Sequence, residues 1–157
     1  MRNYLTAIGL LIVAYAGIPG HAAGQCADYA TALKITMAYE GGYVRATRAK
    51  GGEIYRGITR VSHPKWEGWA IADKHKLKRG DTLAALDSLV PAFYKEYYWD
   101  VVRAGELNDQ HTANDFFNNA VRMGTERAIK MAQRKLKLPP TGIITDTVIA
   151  LLNRKKH

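Results

Sequence analysis

The chain has 157 residues, 47% of them hydrophobic, and this size and composition suit one globular domain with a buried core. Its 23 lysines and arginines outnumber 14 acidic residues, and the resulting net charge of +9 favours a polyanionic partner. The single cysteine, Cys26, excludes an intrachain disulfide, and the spacing of the five histidines does not resemble that of a zinc site.

Residues 1–24 differ from the rest of the chain and predict an export signal. A positive start at Arg2 precedes the charge-free run 4–18, which Pro19 and Gly20 interrupt before small residues suited to signal peptidase. The apolar run is short for a stable membrane span. We therefore expect either a cleaved signal peptide or a releasable signal anchor that contacts the membrane transiently. The mature domain, residues 25–157, would be exported and act in the periplasm or at the cell wall.

The first predicted helix of the mature domain covers residues 27–39 and ends at a candidate acid. Residues at intervals of three and four share one helix face: Tyr29, Leu33, Met37 and Glu40. The glycines that follow are typical of a helix end. There the helix dipole and partial burial both disfavour negative charge, so Glu40 suits an acid that keeps its proton for glycosidic-bond cleavage. The alternative is a solvated glutamate near a helix end.

A glycine-rich segment after Glu40 predicts a small β element. Residues 53–56 and 58–61 are β-prone and separated by Gly57, so they predict a hairpin. Next, Asp81 is predicted to cap a helix that runs through Leu89, and Pro91 to start another that ends near Trp99.

Two longer helices and a short one complete the predicted elements. Residues 109–123 form the first, which Gly124 ends, and Thr125 begins the second. After the break at residues 139–142, Thr145 would cap a last helix through Leu152. The fold class is therefore mainly α (α+β): a lysozyme-like helical domain with a small β-hairpin beside the active-site cleft.

Several separate blocks, in the same order, resemble the N-acetylmuramidases of glycoside hydrolase family 108, which include phage endolysins and secretion-assisting muramidases. The blocks are Glu-Gly-Gly-Tyr-Val at 40–44, Gly-Gly-Glu-x-Tyr-x-Gly-Ile at 51–58, His-Pro-x-Trp-x-Gly-Trp at 63–69 and Phe-Tyr-x-x-Tyr-Tyr-Trp-Asp at 93–100. The resemblance implies a secreted lysozyme-type hydrolase for cell wall degradation. It would cleave peptidoglycan between N-acetylmuramic acid and N-acetylglucosamine, with Glu40 as general acid. Residues 125–153 resemble a peptidoglycan-binding segment.

Three positions depart from the family pattern: Ala49, Ile54 and Asn118 stand where many members have aspartate, threonine and aspartate. The second catalytic group is therefore open. Glu53 or Asp115 could activate water, which needs a carboxylate separation of about 6.5–9.5 Å. Alternatively Glu40 acts alone, as in a lytic transglycosylase, or the chain is a degenerate peptidoglycan-binding or secretion-accessory protein. Of the carboxylates, Glu53 lies on the better-placed loop.

The candidate substrate-binding residues can stack on sugar rings or hydrogen-bond N-acetyl groups: Tyr43, Tyr98, Asp115, Asn118 and Asn119. We expect peptidoglycan glycan strands as the partner, and a monomer. The scattered basic residues form no recognition helix, so no nucleic-acid partner is expected. No metal and no cofactor are expected either.

Overall fold

The computed structural model describes residues 26–38, 40–45 and 52–154. The predicted export signal at residues 1–24 lies outside the described residues, and so does Ala49. Within the described ranges, no helix combines the length and apolar character needed to cross a bilayer.

The helices in chain order are α1 (Tyr29–Met37), α2 (Gly68–Lys74), α3 (Ala84–Asp87), α4 (Val90–Tyr94), α5 (Gln110–Met123), α6 (Thr125–Lys135) and α7 (Asp146–Arg154). A π-helical turn, Lys95–Trp99, continues α4, and a 3₁₀ turn, Ala104–Glu106, precedes α5. The predicted helices α1, α5, α6 and α7 are confirmed, with ends that differ by one or two residues.

Capping side chains explain where the main helices begin. Asp28 accepts a hydrogen bond at 2.7 Å from the backbone N–H of Thr31 at the start of α1. Asp109 does the same for Thr112 in α5, also at 2.7 Å. Each carboxylate satisfies an N–H that has no partner inside the helix and complements the helix dipole.

The described strands form a three-stranded antiparallel sheet in the order β1 (Val44–Arg45), β2 (Glu53–Tyr55) and β3 (Ile58–Thr59). Arg56 and Gly57 make the turn between β2 and β3, with φ of 47° and 80°. These angles match the two-residue turns that suit a twisted hairpin. The predicted hairpin is therefore confirmed, and β1 is a strand that the sequence did not reveal.

The prediction that Asp81 caps the next helix is wrong. Helix α3 begins after Leu83, whose backbone is extended, and no side chain caps the helix. The Asp81 carboxylate instead accepts from the backbone N–H of Lys78 at 2.7 Å, closing a local turn. The Asp81 side chain is engaged in this local turn and is therefore not available to cap the helix.

The turn at residues 78–81 also holds the segment just after Glu40 by backbone hydrogen bonds. The backbone N–H of Tyr43 donates to the Asp81 carbonyl at 2.8 Å, and the N–H of Gly80 donates to the Tyr43 carbonyl at 2.8 Å. A Cβ on Gly42 would lie 2.5 Å from the carbonyl oxygens of both Gly80 and Asp81. The two backbone segments pack so closely that only glycine fits at position 42.

The core joins the helices to the sheet. On the helical side, the rings of Tyr29, Trp99 and Phe117 lie 5.3–5.9 Å apart and tie α1, the π-helical turn and α5 together. On the sheet side, Tyr55 and Ile58 are fully buried, and Trp66 stacks on the Tyr55 ring. This arrangement confirms the predicted mainly α, lysozyme-like fold with a small sheet.

Helices α6 and α7 pack on the same core, through Ile129 and Ile149. Buried Gln133 holds the connection between them by donating to the Thr141 hydroxyl and accepting from the Gly142 N–H, each at 2.9 Å. Arg103 also pairs with Asp146 at 2.7 Å. The assignment of residues 125–153 to peptidoglycan binding stays a prediction.

Candidate active site

Glu40 lies where α1 ends and faces the turn of the hairpin. Its backbone N–H donates to the Met37 carbonyl at 3.1 Å, so it continues the last turn of the helix. A Cβ built on Gly57 would lie 2.7 Å from Glu40 Oε2. The glycine of the β2–β3 turn therefore lets the sheet approach the carboxyl group without collision.

Tyr94 also lies against Gly57, next to the Glu40 carboxyl group. The same Cβ on Gly57 would lie 2.6 Å from the Tyr94 hydroxyl, which donates to the Arg56 carbonyl at 2.7 Å. Tyr94 is 2% exposed. Burial, and then the charge of nearby Glu40, raise the pKa of Tyr94 far above its usual value. The hydroxyl is thus a permanent hydrogen-bond donor beside the glutamate.

Glu40 also borders a cavity of about 350 Å³. The lining residues come from α1, its end and α5: Ile35, Thr36, Glu40, Asn118, Val121 and Arg122. This volume falls in the range of small-ligand sites, which span roughly 300–1,000 Å³. Asn118 offers amide hydrogen-bonding groups, and Arg122 brings a positive charge.

The Glu40 carboxyl group is not paired. Across the described ranges, no side chain or backbone group makes a hydrogen bond or an ion pair with its oxygens. Its main chain is engaged at both groups: the N–H donates to the Met37 carbonyl, and the carbonyl accepts from the Arg56 guanidinium at 3.3 Å. A carboxyl group beside a cavity with free oxygens is chemically able to exchange a proton with a bound molecule.

Glu53, on β2, is in the opposite situation. Its Oε1 accepts from the Tyr43 hydroxyl at 2.5 Å, and its Oε2 lies 2.7 Å from Arg60 Nε in an ion pair. Arg45 adds a longer ion pair of 3.8 Å. Oε1 is hydrogen-bonded within the protein and Oε2 lies in an ion pair, so a water molecule would have to compete with these contacts for Glu53. The role of Glu53 as a second catalytic group stays a prediction.

The two candidate tyrosines are mostly covered. Tyr43 is 5% exposed, and burial together with its hydrogen bond to Glu53 raises its pKa to about 12. Tyr98 is half-buried on the π-helical turn, with its ring stacked on Tyr94 at 5.5 Å. Tyr98 therefore has more surface to offer a sugar than Tyr43. Substrate binding by either residue stays a prediction.

The structure separates the polar residues of α5. Asn118 lines the Glu40 cavity, whereas Asp115 and Asn119 line a smaller cavity of about 160 Å³ between α5, α6 and α7. Asp115 is exposed and lies 3.6 Å from His111. Because a helix directs neighbouring residues to different sides, these residues do not all share the Glu40 cavity. The binding roles predicted for Asp115 and Asn119, and Asp115 as a base, stay predictions.

Three neighbours of Glu40 were not singled out from the sequence: Arg56, Tyr94 and Arg122. Arg122 follows Asn118 by four residues, so helical spacing could have assigned it to the same face. Arg56 and Tyr94 lie inside the motif blocks, but only the tertiary fold brings them to Glu40. In the part of the chain that the structure describes, no three His, Cys, Asp or Glu side chains gather as a metal site would require.

Comparison with known proteins agrees with this geometry. A family model described as Glycosyl hydrolase 108 matches residues 33–124, more than half of the chain, including Glu40, the sheet and α5. The solved structure of Brucella abortus SagA is similar, with 25% sequence identity and a TM-score of 0.60; the match covers 82% of this chain and 70% of that chain. No curated protein matches the sequence. The chain belongs to glycosyl hydrolase family 108, and it is a glycosidase of the peptidoglycan-degrading type.

Proposed function

We propose that the protein cleaves the bond between N-acetylmuramic acid and N-acetylglucosamine in peptidoglycan, with Glu40 as the general acid. The observation that carries this proposal is that Glu40 lines the cavity and that its carboxyl group has no partner among the described residues. A general acid must be within hydrogen-bond reach of the oxygen it protonates, and it must not be held by internal partners. Glu40 meets the second condition within the described residues, and the cavity beside it offers a place for the first.

The cavity suits a sugar that carries an N-acetyl group. The Asn118 amide can hydrogen-bond an acetamido group, while the apolar side chains of Ile35 and Val121 can contact its methyl group. Arg122 and the overall net charge of +9 favour approach of an acidic polymer. These features support a glycan strand of the cell wall as the substrate.

For the second half of the reaction, we favour Glu40 acting alone. After it protonates the leaving oxygen, the Glu40 carboxylate can accept a proton from a hydroxyl of the same sugar, which then closes on the anomeric carbon as in a lytic transglycosylase. If it accepts the proton from water instead, hydroxide adds to the anomeric carbon and the product is hydrolytic. Glu53 is the alternative base, but Tyr43 and Arg60 engage both of its oxygens.

A wall-clearing assay tests the general acid. On purified peptidoglycan, the native chain should clear the substrate and Glu40→Gln should lose clearing by about 10²- to 10⁴-fold, the range typical of a lost general acid. Glu67→Gln, which changes an exposed glutamate at the start of α2, is the control and should clear like the native chain. Equal clearing by native and Glu40→Gln proteins would refute the assignment.

Product analysis tests the mechanism. An anhydro-muramyl end indicates transglycosylation, and a reducing end indicates hydrolysis. If Glu53 is the base, Glu53→Gln should abolish hydrolysis as completely as Glu40→Gln does. If Glu40 acts alone, the Glu53 variant should give the native product at a rate within a few-fold of native.

The second candidate function is a catalytically degenerate peptidoglycan-binding or secretion-accessory protein. Asn118 favours it, because an amide borders the Glu40 cavity where many family members have an aspartate. In that case neither the native chain nor Glu40→Gln would clear the wall, yet both would sediment with purified sacculi.

The same proposal includes export and action as a monomer outside the cytoplasm. Residues 1–24 would direct export, either as a cleaved signal or as an anchor that later leaves the membrane. N-terminal sequencing of the exported protein checks this: a start near residue 25 indicates cleavage, and an intact Met1 in the membrane fraction indicates an anchor. Light scattering of the exported protein checks the monomeric state.

A further inference from the structure

Arg56 has an unusual backbone conformation beside Glu40. Its φ is 47°, in the left-handed region, where a side chain other than glycine costs roughly 1–2 kcal/mol. Among the described residues, Arg103 and Lys137 are the other non-glycine residues with positive φ. Such conformations persist where the surrounding contacts determine them, and they are frequent at functional sites. The contacts of Arg56 therefore bear on what the residue does.

The Arg56 side chain connects α3 to the end of α1. Its Nε and Nη2 lie 3.0 and 3.3 Å from the two carboxylate oxygens of Asp87. Its Nη1 donates to the backbone carbonyl of Glu40 at 3.3 Å. A planar guanidinium held by two parallel hydrogen bonds has a fixed orientation, so its third nitrogen, Nη1, also points in a fixed direction.

Asp87 is itself held in place. The buried Tyr55 hydroxyl donates to Asp87 Oδ1 at 2.8 Å and accepts from the Leu83 N–H at 2.9 Å. Burial alone would raise the pKa of Asp87, but hydrogen bonds from Arg56 and Tyr55 outweigh it and lower the pKa. The carboxylate is therefore charged at neutral pH and can hold the guanidinium.

The Arg56 backbone acts on the other side of Glu40. Its carbonyl accepts from the Tyr94 hydroxyl at 2.7 Å, which ties the β2–β3 turn to α4. The next residue, Gly57, lies directly against the Glu40 carboxyl group. One residue thus binds the main chain of Glu40 with its side chain and fixes the turn that borders its carboxyl group.

We propose that Arg56 is a positioning residue for Glu40: together with Asp87 it sets the place of the Glu40 main chain, and through Tyr94 it sets the wall beside the carboxyl group. This inference rests on the proposed role of Glu40 as the acid. Its effect should appear in the rate of the chemical step, because a displacement of about 1 Å in a catalytic group can cost about 10²-fold. Substrate affinity depends on the cavity residues and should change little.

Arg56→Gly and Arg103→Gly form a matched pair of variants. Both remove an arginine with positive φ (47° and 55°), with a side chain about 30% exposed and paired with acidic residues, but Arg103 contacts Glu106 and Asp146, not Glu40. With soluble glycan-strand fragments as substrate, we expect Arg56→Gly to lower kcat by about 10- to 100-fold with KM within about threefold. Arg103→Gly should keep the native kcat. Melting temperatures of both variants report any general loss of stability.

A second variant and a second readout keep the inference testable if Arg56→Gly folds poorly. Asp87→Asn leaves the Arg56 backbone unchanged and should lower kcat less, about three- to tenfold. In the folded proteins, the ¹³C signal of the Glu40 carboxyl group, identified by its loss in Glu40→Gln, should shift in Asp87→Asn and stay in place in Arg103→Gly.

The outcomes separate the two ideas. Equal kcat in Arg56→Gly and Arg103→Gly, or an unmoved Glu40 signal in Asp87→Asn, would overturn the positioning role while the general acid stands. A native chain without activity, but with a Glu40 signal that moves only in the Arg56 and Asp87 variants, would overturn the proposed function. Only the structural part of the inference, that Arg56 and Asp87 set the place of Glu40, would then stand.

Discussion

The end of α1 and strand β2 each present a glutamate near the sheet, and the two are held in opposite ways. Glu40 has its main chain fixed by Met37 and Arg56, while its carboxyl oxygens make no hydrogen bond or ion pair with the described residues. Glu53 has both carboxyl oxygens engaged, by Tyr43 and Arg60. One glutamate is restrained through its backbone, and the other through its functional group.

This difference is the reason for proposing Glu40, and not Glu53, as the acid. Internal ion pairs and hydrogen bonds hold a carboxylate in place and compete with bound molecules for its oxygens. A proton donor needs free oxygens and a fixed position, and restraint through the backbone provides both. Exposure alone would not have separated the two, because both side chains are half-buried.

The largest effect is expected from Gly57→Ala, which acts on the unpaired glutamate. The new Cβ would lie 2.7 Å from Glu40 Oε2 and 2.6 Å from the Tyr94 hydroxyl, so one of them must move. We expect kcat on glycan fragments to fall about 100-fold, and the positive φ to cost roughly 1 kcal/mol of stability.

Gly80→Ala is the control for backbone strain alone. Gly80 has a φ of 89°, and a Cβ there meets nothing within 4 Å. Gly80→Ala should lower the melting temperature about as much as Gly57→Ala does, while its kcat stays near native. If both alanine variants lose activity equally, the contact with Glu40 is not the cause.

A smaller effect, mainly on stability, is expected from Glu53→Gln. The variant weakens the pair with Arg60 and the bond with Tyr43, at a cost of about 1–2 kcal/mol in the free energy of unfolding. Activity should stay within about threefold. Asp73→Asn removes the other acidic partner of Arg60, at a more exposed site, and should lower stability in urea unfolding less than Glu53→Gln does. A hundredfold loss of kcat in Glu53→Gln at native stability would contradict the comparison.

The smallest effect is a pH dependence of stability through Asp87. Its pKa is lowered in the folded state, so its pair with Arg56 contributes stability above the ordinary aspartate pKa of about 3.9 and loses it as pH falls through the lowered value. At pH 7 the free energy of unfolding of the native chain should exceed that of Asp87→Asn by less than about 1 kcal/mol, because the carboxylate is partly exposed. The difference measured by urea unfolding should shrink as the pH falls below the ordinary aspartate value.

The elements with local signals were predictable from the sequence. The spacing of apolar residues indicated α1, α5 and α6, and glycines marked the ends of α1 and α5. The predicted cap Thr145 accepts from the Val148 N–H at 3.4 Å before α7. Gly57 between two β-prone segments indicated the hairpin. Strand β1 was missed because two residues give no alternation pattern, and the Asp81 cap was wrong because a local turn competed for the side chain.

The candidate site was predictable only at Glu40 and Asn118. Asn118 lies on α5, where periodicity assigns a face, and Glu40 follows the end of α1; both border the same cavity. Arg56 and Tyr94 could not be assigned, because their contacts join segments far apart in the chain and depend on a left-handed turn. The engagement of Glu53 by Arg60 depends equally on how β2 and β3 pair.

The close backbone packing of Gly42 against Gly80 and Asp81 bears on how the enzyme acquires activity as it folds. The main chain just after Glu40 is held by a turn that comes much later in the sequence. It cannot be fixed until that long loop has closed, with the entropic cost that this entails. Assembly of the catalytic centre should therefore follow, and not precede, collapse of the helices. Under mild denaturant, opening of the 78–81 turn should abolish activity while most of the helical structure persists.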